Sequence, residues 1–157
     1  MFVYSMRATT VKFFGIVSAA LVVLIVLIAV VPTYTGGTAA VGSVSYRYDN
    51  IRSEEDVASF LSQFGWEVDR ATVTSCEVTV PAEFDAVFSA YNEIQKRQGL
   101  DLSKYKKKTV MRYTYEVTNY DGYDGTVYAT VLVYRKHVIG GDVCSADVSG
   151  FLHGFEK

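Results

Sequence analysis

One long apolar segment without a charged side chain, from Phe13 to Val31, limits what this chain can fold into. Fourteen of its nineteen positions are Phe, Ile, Leu or Val. At about 1.5 Å of rise per residue, a helix of this length spans roughly 28 Å, close to the roughly 30 Å hydrocarbon layer of a bilayer. The segment therefore predicts a transmembrane helix over residues 13–31.

Basic residues near this segment predict its orientation. Arg7 and Lys12 precede it, and no Lys or Arg follows until Arg47. Because positive side chains tend to stay on the cytoplasmic side, we expect residues 1–12 in the cytoplasm and the C-terminal part outside it. This places the protein in the cell membrane as a single-pass protein whose domain is extracytoplasmic.

A cleaved signal peptide is the alternative to an anchor. Small residues that could precede a cut follow the apolar run: Thr38, Ala39 and Ala40. The run is longer than the about 7 to 15 apolar residues usual in a signal, so an uncleaved anchor is favoured. Residues 32–46 are rich in Gly, Thr, Ala and Ser and predict a flexible stalk. Residues 47–157 then form the outer domain.

The charge balance argues against nucleic acid as a partner. The 157 residues carry 15 basic and 17 acidic side chains, a formal net charge of -2. All the acidic side chains lie after the apolar segment, so the outer domain is mildly acidic. A nucleic-acid binder would need a basic patch or a large positive excess to neutralise phosphates.

Two amphipathic segments of the outer domain predict helices. Ser53 is a suitable N-cap because acidic residues follow it, and one stripe recurs at helical spacing: Val57, Phe60, Leu61 and Phe64. Gly65 would end this helix. A second helix is expected from the Pro81 turn to Gly99, with its own stripe: Phe84, Val87, Phe88 and Tyr91. Both stripes predict core packing rather than a cofactor site.

Alternating apolar and polar residues predict strands over 66–69, 73–80, 109–120, 126–137 and 142–147. Two Asp-Gly pairs within residues 121–125 predict a hairpin turn, and Gly140-Gly141 predicts a second turn. The expected fold class is α+β, with two helices packed on one face of a mostly antiparallel sheet of about five strands, in the order αββαβββ. The face expected beneath both helices consists of Val127, Ala129, Val131 and Val133.

Tyrosines on the predicted hairpin suggest a binding face. Tyr128 and Tyr134 share one face of their strand, with Tyr113 and Tyr115 on the neighbouring strand. Tyrosine combines apolar area with a polar tip and is enriched at contact surfaces. Ordinary sheet packing of these rings is the alternative interpretation.

Catalytic and metal-binding motifs are absent from the sequence. It has no phosphate loop, no nucleophile elbow, no zinc-protease motif and no Cys-x-x-Cys pair. We therefore expect no cofactor and no metal. Cys76 and Cys144 lie on predicted strands outside the cytoplasm, where they could form a disulfide or remain two free thiols.

Several stretches of the domain are similar to one known family: FGWEV at 64–68, EFDAVFSAYNEIQKRQGLDLSKY at 83–105, RYTYEVTNY at 112–120, VIGGDVCS at 138–145 and GFLHGF at 150–155. With these strings the chain resembles domain of unknown function 4830. The resemblance covers nearly the whole outer domain and implies a small bacterial protein with an N-terminal membrane segment. It implies no catalytic residues.

Two functions of different classes are compatible with these features. The anchor, the stalk and the lack of catalytic motifs favour a non-enzymatic module of the bacterial cell envelope that binds a protein or another ligand. The alternative is a small enzyme or metal-binding domain that uses Cys144 with His137 or His153.

Overall fold

The computed structural model describes residues 45–147 and 149–157, which contain two α-helices, one 3₁₀ helix and five strands. In chain order these elements are α1 (Glu54–Ser62), β1 (Val68–Thr79), α2 (Ala86–Arg97), a 3₁₀ helix (Leu102–Tyr105), β2 (Thr109–Val117), β3 (Val127–Tyr134), β4 (His137–Ser145) and β5 (Leu152–His153). The five strands form one sheet in the order β1-β2-β3-β4-β5, and all neighbouring pairs are antiparallel. The predicted α+β class with two helices and five antiparallel strands is confirmed.

The predicted element order is wrong in two places: the two strands expected before the second helix are a single strand, and four strands instead of three follow that helix, because the short strand β5 was not predicted. β1 pairs with β2 throughout, but its register shifts between Asp69 and Thr74. Within this bulge, the Asp69 carboxylate accepts from the Ala71 amide, and the Glu116 amide donates to the Thr72 hydroxyl. These local hydrogen bonds hold a bulge that interrupts the alternation of side chains along β1. The sequence pattern predicted a strand end at this interruption. The order is αβαββββ.

The second predicted turn is also misplaced. Gly140 and Gly141 lie inside β4, and the turn between β3 and β4 is formed by Arg135 and Lys136. Both turn residues have positive φ, 48° and 70°, as a two-residue hairpin turn requires. Glycine is common in such turns, so the sequence pattern placed the turn at the glycine pair.

The first face of the sheet packs against α1. Ser53 caps α1 through a capping box with Asp56, and the helix buries the predicted stripe. The aromatic rings of this stripe pack in one cluster with the four alternate β3 residues that were expected beneath the helices: Val127, Ala129, Val131 and Val133. That prediction is therefore confirmed for α1. Phe155 completes this core: its ring lies 5.0 Å from that of Phe60, and the Trp66 indole donates to its carbonyl oxygen at 2.6 Å.

The second face of the sheet packs against α2, so the prediction that both helices share one face is wrong. Leu132 faces this side, because successive residues of a strand point to opposite faces. It belongs to a separate cluster whose buried members are Val80, Leu102, Val110, Leu132 and Ile139. Phe88 and Tyr91 of α2 pack on this cluster. The sheet is therefore the middle layer between two helices.

The second helix begins later than predicted. Its N-cap is Asp85, whose carboxylate accepts from the Phe88 amide, so Pro81 precedes the helix instead of opening it. Val87 is 79% exposed and does not belong to the predicted buried stripe. The polar residues Asn92 and Gln95 are buried in its place. A purely apolar pattern cannot identify such positions, because their burial depends on hydrogen bonds to other elements.

The glycine pair of β4 allows two elements to approach the strand from opposite faces. A Cβ at Gly140 would lie 2.9 Å from the Leu102 side chain and 3.2 Å from the Gln95 amide oxygen, on the second face. A Cβ at Gly141 would clash with the Phe155 ring and the carbonyl oxygen of Thr130. A larger residue at Gly140 would displace the Leu102 and Gln95 side chains, and one at Gly141 would overlap the strand backbone as well as the Phe155 ring.

The predicted transmembrane helix over 13–31 lies outside the described residues, as does nearly all of the predicted stalk. Among residues 45–147 and 149–157, no helix is long and apolar enough to cross a membrane.

We expect a Gly141→Ala substitution to destabilise the protein by about 3 kcal/mol, because the new methyl group overlaps a backbone oxygen that cannot rotate away. Urea unfolding of the full-length protein in detergent, followed by the fluorescence of Trp66, measures this change. Gly99→Ala is the matched control: its φ is +78° but no atom lies within 4 Å of the new methyl. We expect about 1 kcal/mol there, from backbone strain alone. Equal losses at both glycines would contradict the packing argument.

Candidate functional site

A cleft of about 340 Å³ lies between α2 and the second face of the sheet. Its walls are mostly apolar, and they are formed by Val78, Val80, Pro81, Phe88, Val110 and Leu132. Five polar residues join this lining: Thr79, Tyr91, Arg112, Thr130 and Asp142. Small-molecule sites typically combine apolar walls with a few convergent polar groups, and this volume is at the lower end of their range.

Asp142 is the buried charged group of the cleft. It is 6% exposed, and one of its carboxylate oxygens accepts a hydrogen bond of 2.7 Å from the Tyr91 hydroxyl of α2. Burial raises the pKa of Asp142, although the Tyr91 hydrogen bond acts in the opposite direction. Burial and the charge of Asp142 also raise the pKa of Tyr91 well above its ordinary value. A hydrogen bond from Cys144 and the charges of His153 and Arg112 also act against the effect of burial on Asp142, but its pKa stays raised, so burial of this carboxylate still costs stability.

Arg112 is the positive group of the same cleft and is exposed at its mouth. Its cross-strand partner is Leu132, whereas Asp142 pairs with Thr130, so the two charged residues lie two strands and two positions apart. Arg112 and Asp142 are not joined by an ion pair in the described structure. The cleft thus carries two opposite charges that do not neutralise each other by direct contact.

Side-chain amides of α2 hold the helix in place above β4. The Gln95 amide oxygen accepts from the Gly141 amide at 2.8 Å, and the Gln98 amide nitrogen donates to the Gly141 carbonyl at 3.0 Å. The Gln98 oxygen in turn accepts from the Phe155 amide. These bonds connect α2, β4 and the C-terminal segment, and they position Tyr91 over Asp142.

None of the five polar residues of the cleft was predicted as a binding residue. Asp142 carried a usable signal, because it is a lone charge within the otherwise uncharged segment at 138–145. A charged residue in the interior of a buried strand is unusual and suggests a functional role. Tyr91 and Arg112 had no comparable signal, since both fit ordinary helix and strand patterns.

The four tyrosines predicted as one binding face lie on opposite faces of the sheet. Tyr113 pairs with Val131 and Tyr115 with Ala129, so both belong to the first face. Tyr115 is buried there, and its hydroxyl donates to the Glu54 carbonyl oxygen. The register depends on the length of the β2–β3 loop, and a shift of one residue reverses every side chain. The expectation of a single four-tyrosine face is therefore wrong.

The two remaining tyrosines lie on the second face at opposite ends of β3. Tyr134 is half-buried beside Tyr105, with ring centroids 5.6 Å apart. Tyr128 is 37% exposed and opposes Cys144, which in turn opposes Leu152, 45% exposed. We name these three residues, Tyr128, Cys144 and Leu152, the Tyr128 patch. The patch lies on the same sheet face as the cleft and one row beyond Asp142.

The two cysteines are free and too far apart to form a disulfide within the chain. Cys76 is on β1 and Cys144 on β4, so two strands separate them. At about 4.8 Å per strand, their Cα atoms are at least roughly 14 Å apart, whereas a disulfide needs less than about 7 Å. The disulfide considered from the sequence is therefore wrong.

The structure does not bring Cys144 together with either histidine. His137 begins β4, seven residues before Cys144, whereas His153 pairs with Val143 on the first face and its ring stacks with Phe151. Burial, with the charge of Asp142, raises the pKa of the Cys144 thiol to about 11, opposite to what a nucleophile needs. Within the described residues, no three His, Cys, Asp or Glu side chains are grouped as metal ligands would be. The residue set of the enzyme alternative is not assembled.

We expect Asp142→Asn to stabilise the protein at pH 7 by about 1 kcal/mol, because it removes a buried charge and keeps an acceptor for Tyr91. Since the pKa of Asp142 is raised above its ordinary value of 3.8, its protonated form stabilises the fold fully below that pH. This stabilisation is lost as pH rises through the raised pKa. The advantage of the variant should therefore disappear in acid, as urea unfolding at several pH values can test.

Asp124→Asn is the control for this experiment, because Asp124 is exposed in the β2–β3 loop. It should leave stability nearly unchanged at neutral and acidic pH. A loss of stability at pH 7 in Asp142→Asn would show that the buried charge is compensated within the fold.

Comparison with known proteins assigns the chain to a family. No curated protein matches it, and neither does any solved structure. The family model described as "Domain of unknown function (DUF4830)" matches residues 60–143, slightly more than half of the 157 residues. The matched region runs from α1 to β4 and includes every residue that lines the cleft. The chain therefore belongs to the family of domain of unknown function DUF4830.

Proposed function

We propose that the protein is a membrane-anchored, non-enzymatic binding module of the bacterial cell envelope. Its binding surface is the second face of the sheet, where the cleft and the Tyr128 patch lie side by side. The cleft takes a small ligand, and the patch contacts a neighbouring envelope protein. The membrane is a partner through the N-terminal apolar segment.

The partial covering of the second face is the observation that carries this proposal. α2 covers the face around Leu132 only in part, so the cleft between the helix and the sheet stays open. Beyond the cleft, Tyr128 and Leu152 are among the few large apolar side chains exposed in the described residues. Exposed aromatic and aliphatic groups next to a concave site are typical of contact surfaces.

The extracytoplasmic location is supported by the sequence around the apolar segment. Nineteen uncharged residues are long enough to span the bilayer, and Arg7 and Lys12 precede them on the side expected to stay in the cytoplasm. The domain carries 13 basic and 17 acidic side chains, which does not oppose export.

A photoreactive amino acid at Tyr128 of the full-length protein should capture a recurrent neighbour in the native membrane. Mass spectrometry of the crosslinked product identifies that neighbour. The same photoreactive residue at Ser62, which is exposed on α1 over the opposite face, is the matched control and should not capture it. Capture of the same protein at both positions, or at neither, would count against the second face as the binding surface.

A membrane-impermeant maleimide should label Cys76 in intact cells or spheroplasts, because this thiol is exposed on β1. Cys144 should react far more slowly, since its pKa of about 11 leaves little thiolate at neutral pH. Cys76→Ser should therefore abolish rapid labelling, and lysis should restore none. Labelling of the wild type only after lysis would place the domain on the cytoplasmic side.

A further inference from the structure

We propose that the cleft binds a free apolar α-amino acid as its zwitterion, with Asp142 accepting from the ammonium group and Arg112 donating to the carboxylate. This inference rests on the proposed function, because it names the chemical class of ligand for the same surface. It follows from the two charges of the cleft, their separation and the apolar lining between them.

The Asp142 carboxylate has acceptor capacity that the protein does not use. Tyr91 and the weak donor Cys144 donate to it, and no Lys, Arg or His nitrogen of the described chain lies within 4.0 Å of either carboxylate oxygen. The carboxylate also contributes to the lining of the cleft. An ammonium group entering the cleft would supply both the missing positive charge and further hydrogen-bond donors.

Arg112 supplies the opposite charge at a suitable distance. Two strand spacings of about 4.8 Å and two residue steps of about 3.3 Å separate the Cα atoms of Arg112 and Asp142 by about 12 Å. Both side chains rise from the same face, and they do not reach each other. A guanidinium group binds a carboxylate through two parallel hydrogen bonds, so Arg112 suits the acidic end of such a ligand.

The walls of the cleft suit an apolar side chain of moderate size. Val78, Val110 and Leu132 form the floor, and Phe88 covers it from α2. A volume of about 340 Å³ admits one amino acid but not a folded peptide segment. A simple amine would leave Arg112 without an anion, and a simple carboxylic acid would leave Asp142 without a cation. The zwitterion is the small ligand that satisfies both charges.

Binding should depend on pH in a direction that the surroundings of Asp142 determine. The charged or titratable groups that face it are Tyr91 from α2, Arg112 from β2 and Cys144 from β4, and the charge of His153 acts on it from the opposite face of the sheet. Protonation of Asp142 removes the charge that the ammonium needs, so affinity should fall as pH drops toward the raised pKa of this carboxyl group. A His153→Gln variant should keep the same pH dependence.

Isothermal titration calorimetry with L-leucine and the full-length protein in lipid nanodiscs tests this inference. Isocaproic acid is leucine without the ammonium group, and isoamylamine is leucine without the carboxylate. We expect leucine to bind at least about tenfold more tightly than either analogue, since each lacks one charge-assisted contact. Glycine should also bind more weakly than leucine, because it lacks the apolar side chain.

Two substitutions test the residues themselves. Asp142→Asn and Arg112→Gln should each weaken leucine binding at least about tenfold. Asp142→Asn keeps its acceptor for Tyr91, and Trp66 fluorescence verifies that each variant is folded. Asp124→Asn and Arg52→Gln are the matched controls on exposed residues away from the cleft, and both should bind leucine as the wild type does.

The inference is overturned if leucine, valine and phenylalanine all fail to bind at about 10 mM, far weaker than specific sites usually bind. Equal binding of leucine and its two analogues would overturn it as well. If leucine fails while the probe at Tyr128 still captures a neighbour, the ligand assignment is wrong and the proposed binding function stands. If leucine does not bind and the probe at Tyr128 captures no neighbour, both the ligand assignment and the proposed binding function are wrong.

Discussion

The close approach of α2 and Phe155 to the backbone of β4 is the constraint on which the rest of the structure depends. Gly140 and Gly141 present no side chain, so Gln95 and Leu102 reach the strand from one face and Phe155 from the other. The hydrogen bonds of Gln95 and Gln98 to Gly141 then replace contacts that an apolar helix face would make. Buried amides of this kind stabilise a fold only when their hydrogen bonds are satisfied. The Gln95 amide nitrogen is buried without a partner, and this reduces the stability of the fold.

This arrangement also determines where the cleft lies. α2 is fixed above β4 by its amides, so its apolar side covers the cluster around Leu132, while Tyr128 and Leu152 remain partly exposed. Tyr91 reaches Asp142 because the glycine pair lets the helix sit close to the strand. Asp142, which directly follows the glycine pair, is thereby buried although it is an acidic residue. A buried carboxylate costs stability that an uncharged residue would not, so its presence at this position favours a role in ligand binding.

Local rules predicted those parts of the fold that depend on nearby residues. The capping box at Ser53, the stripe of α1 and the alternation along β3 all follow from short-range geometry and were correct. Properties that depend on distant parts of the chain were not predicted: the sheet face beneath α2, the hairpin register and the Arg135-Lys136 turn. The cleft itself combines residues of α2 and four strands, whose alignment no single segment encodes.

The position of Phe155 in the first-face core has a consequence for how the protein folds. Its ring packs against Phe60 and Phe64, and its carbonyl accepts from Trp66, so residues more than 80 positions apart in sequence meet in one cluster. Closing so long a loop is slow relative to forming a helix or a hairpin. During synthesis, the aromatic side chains of α1 must remain without this partner until residue 155 has been added. In a chain that crosses a membrane before it folds, this core closes only after all of these aromatic residues have reached the same compartment. Translocation before folding is therefore compatible with the late arrival of Phe155.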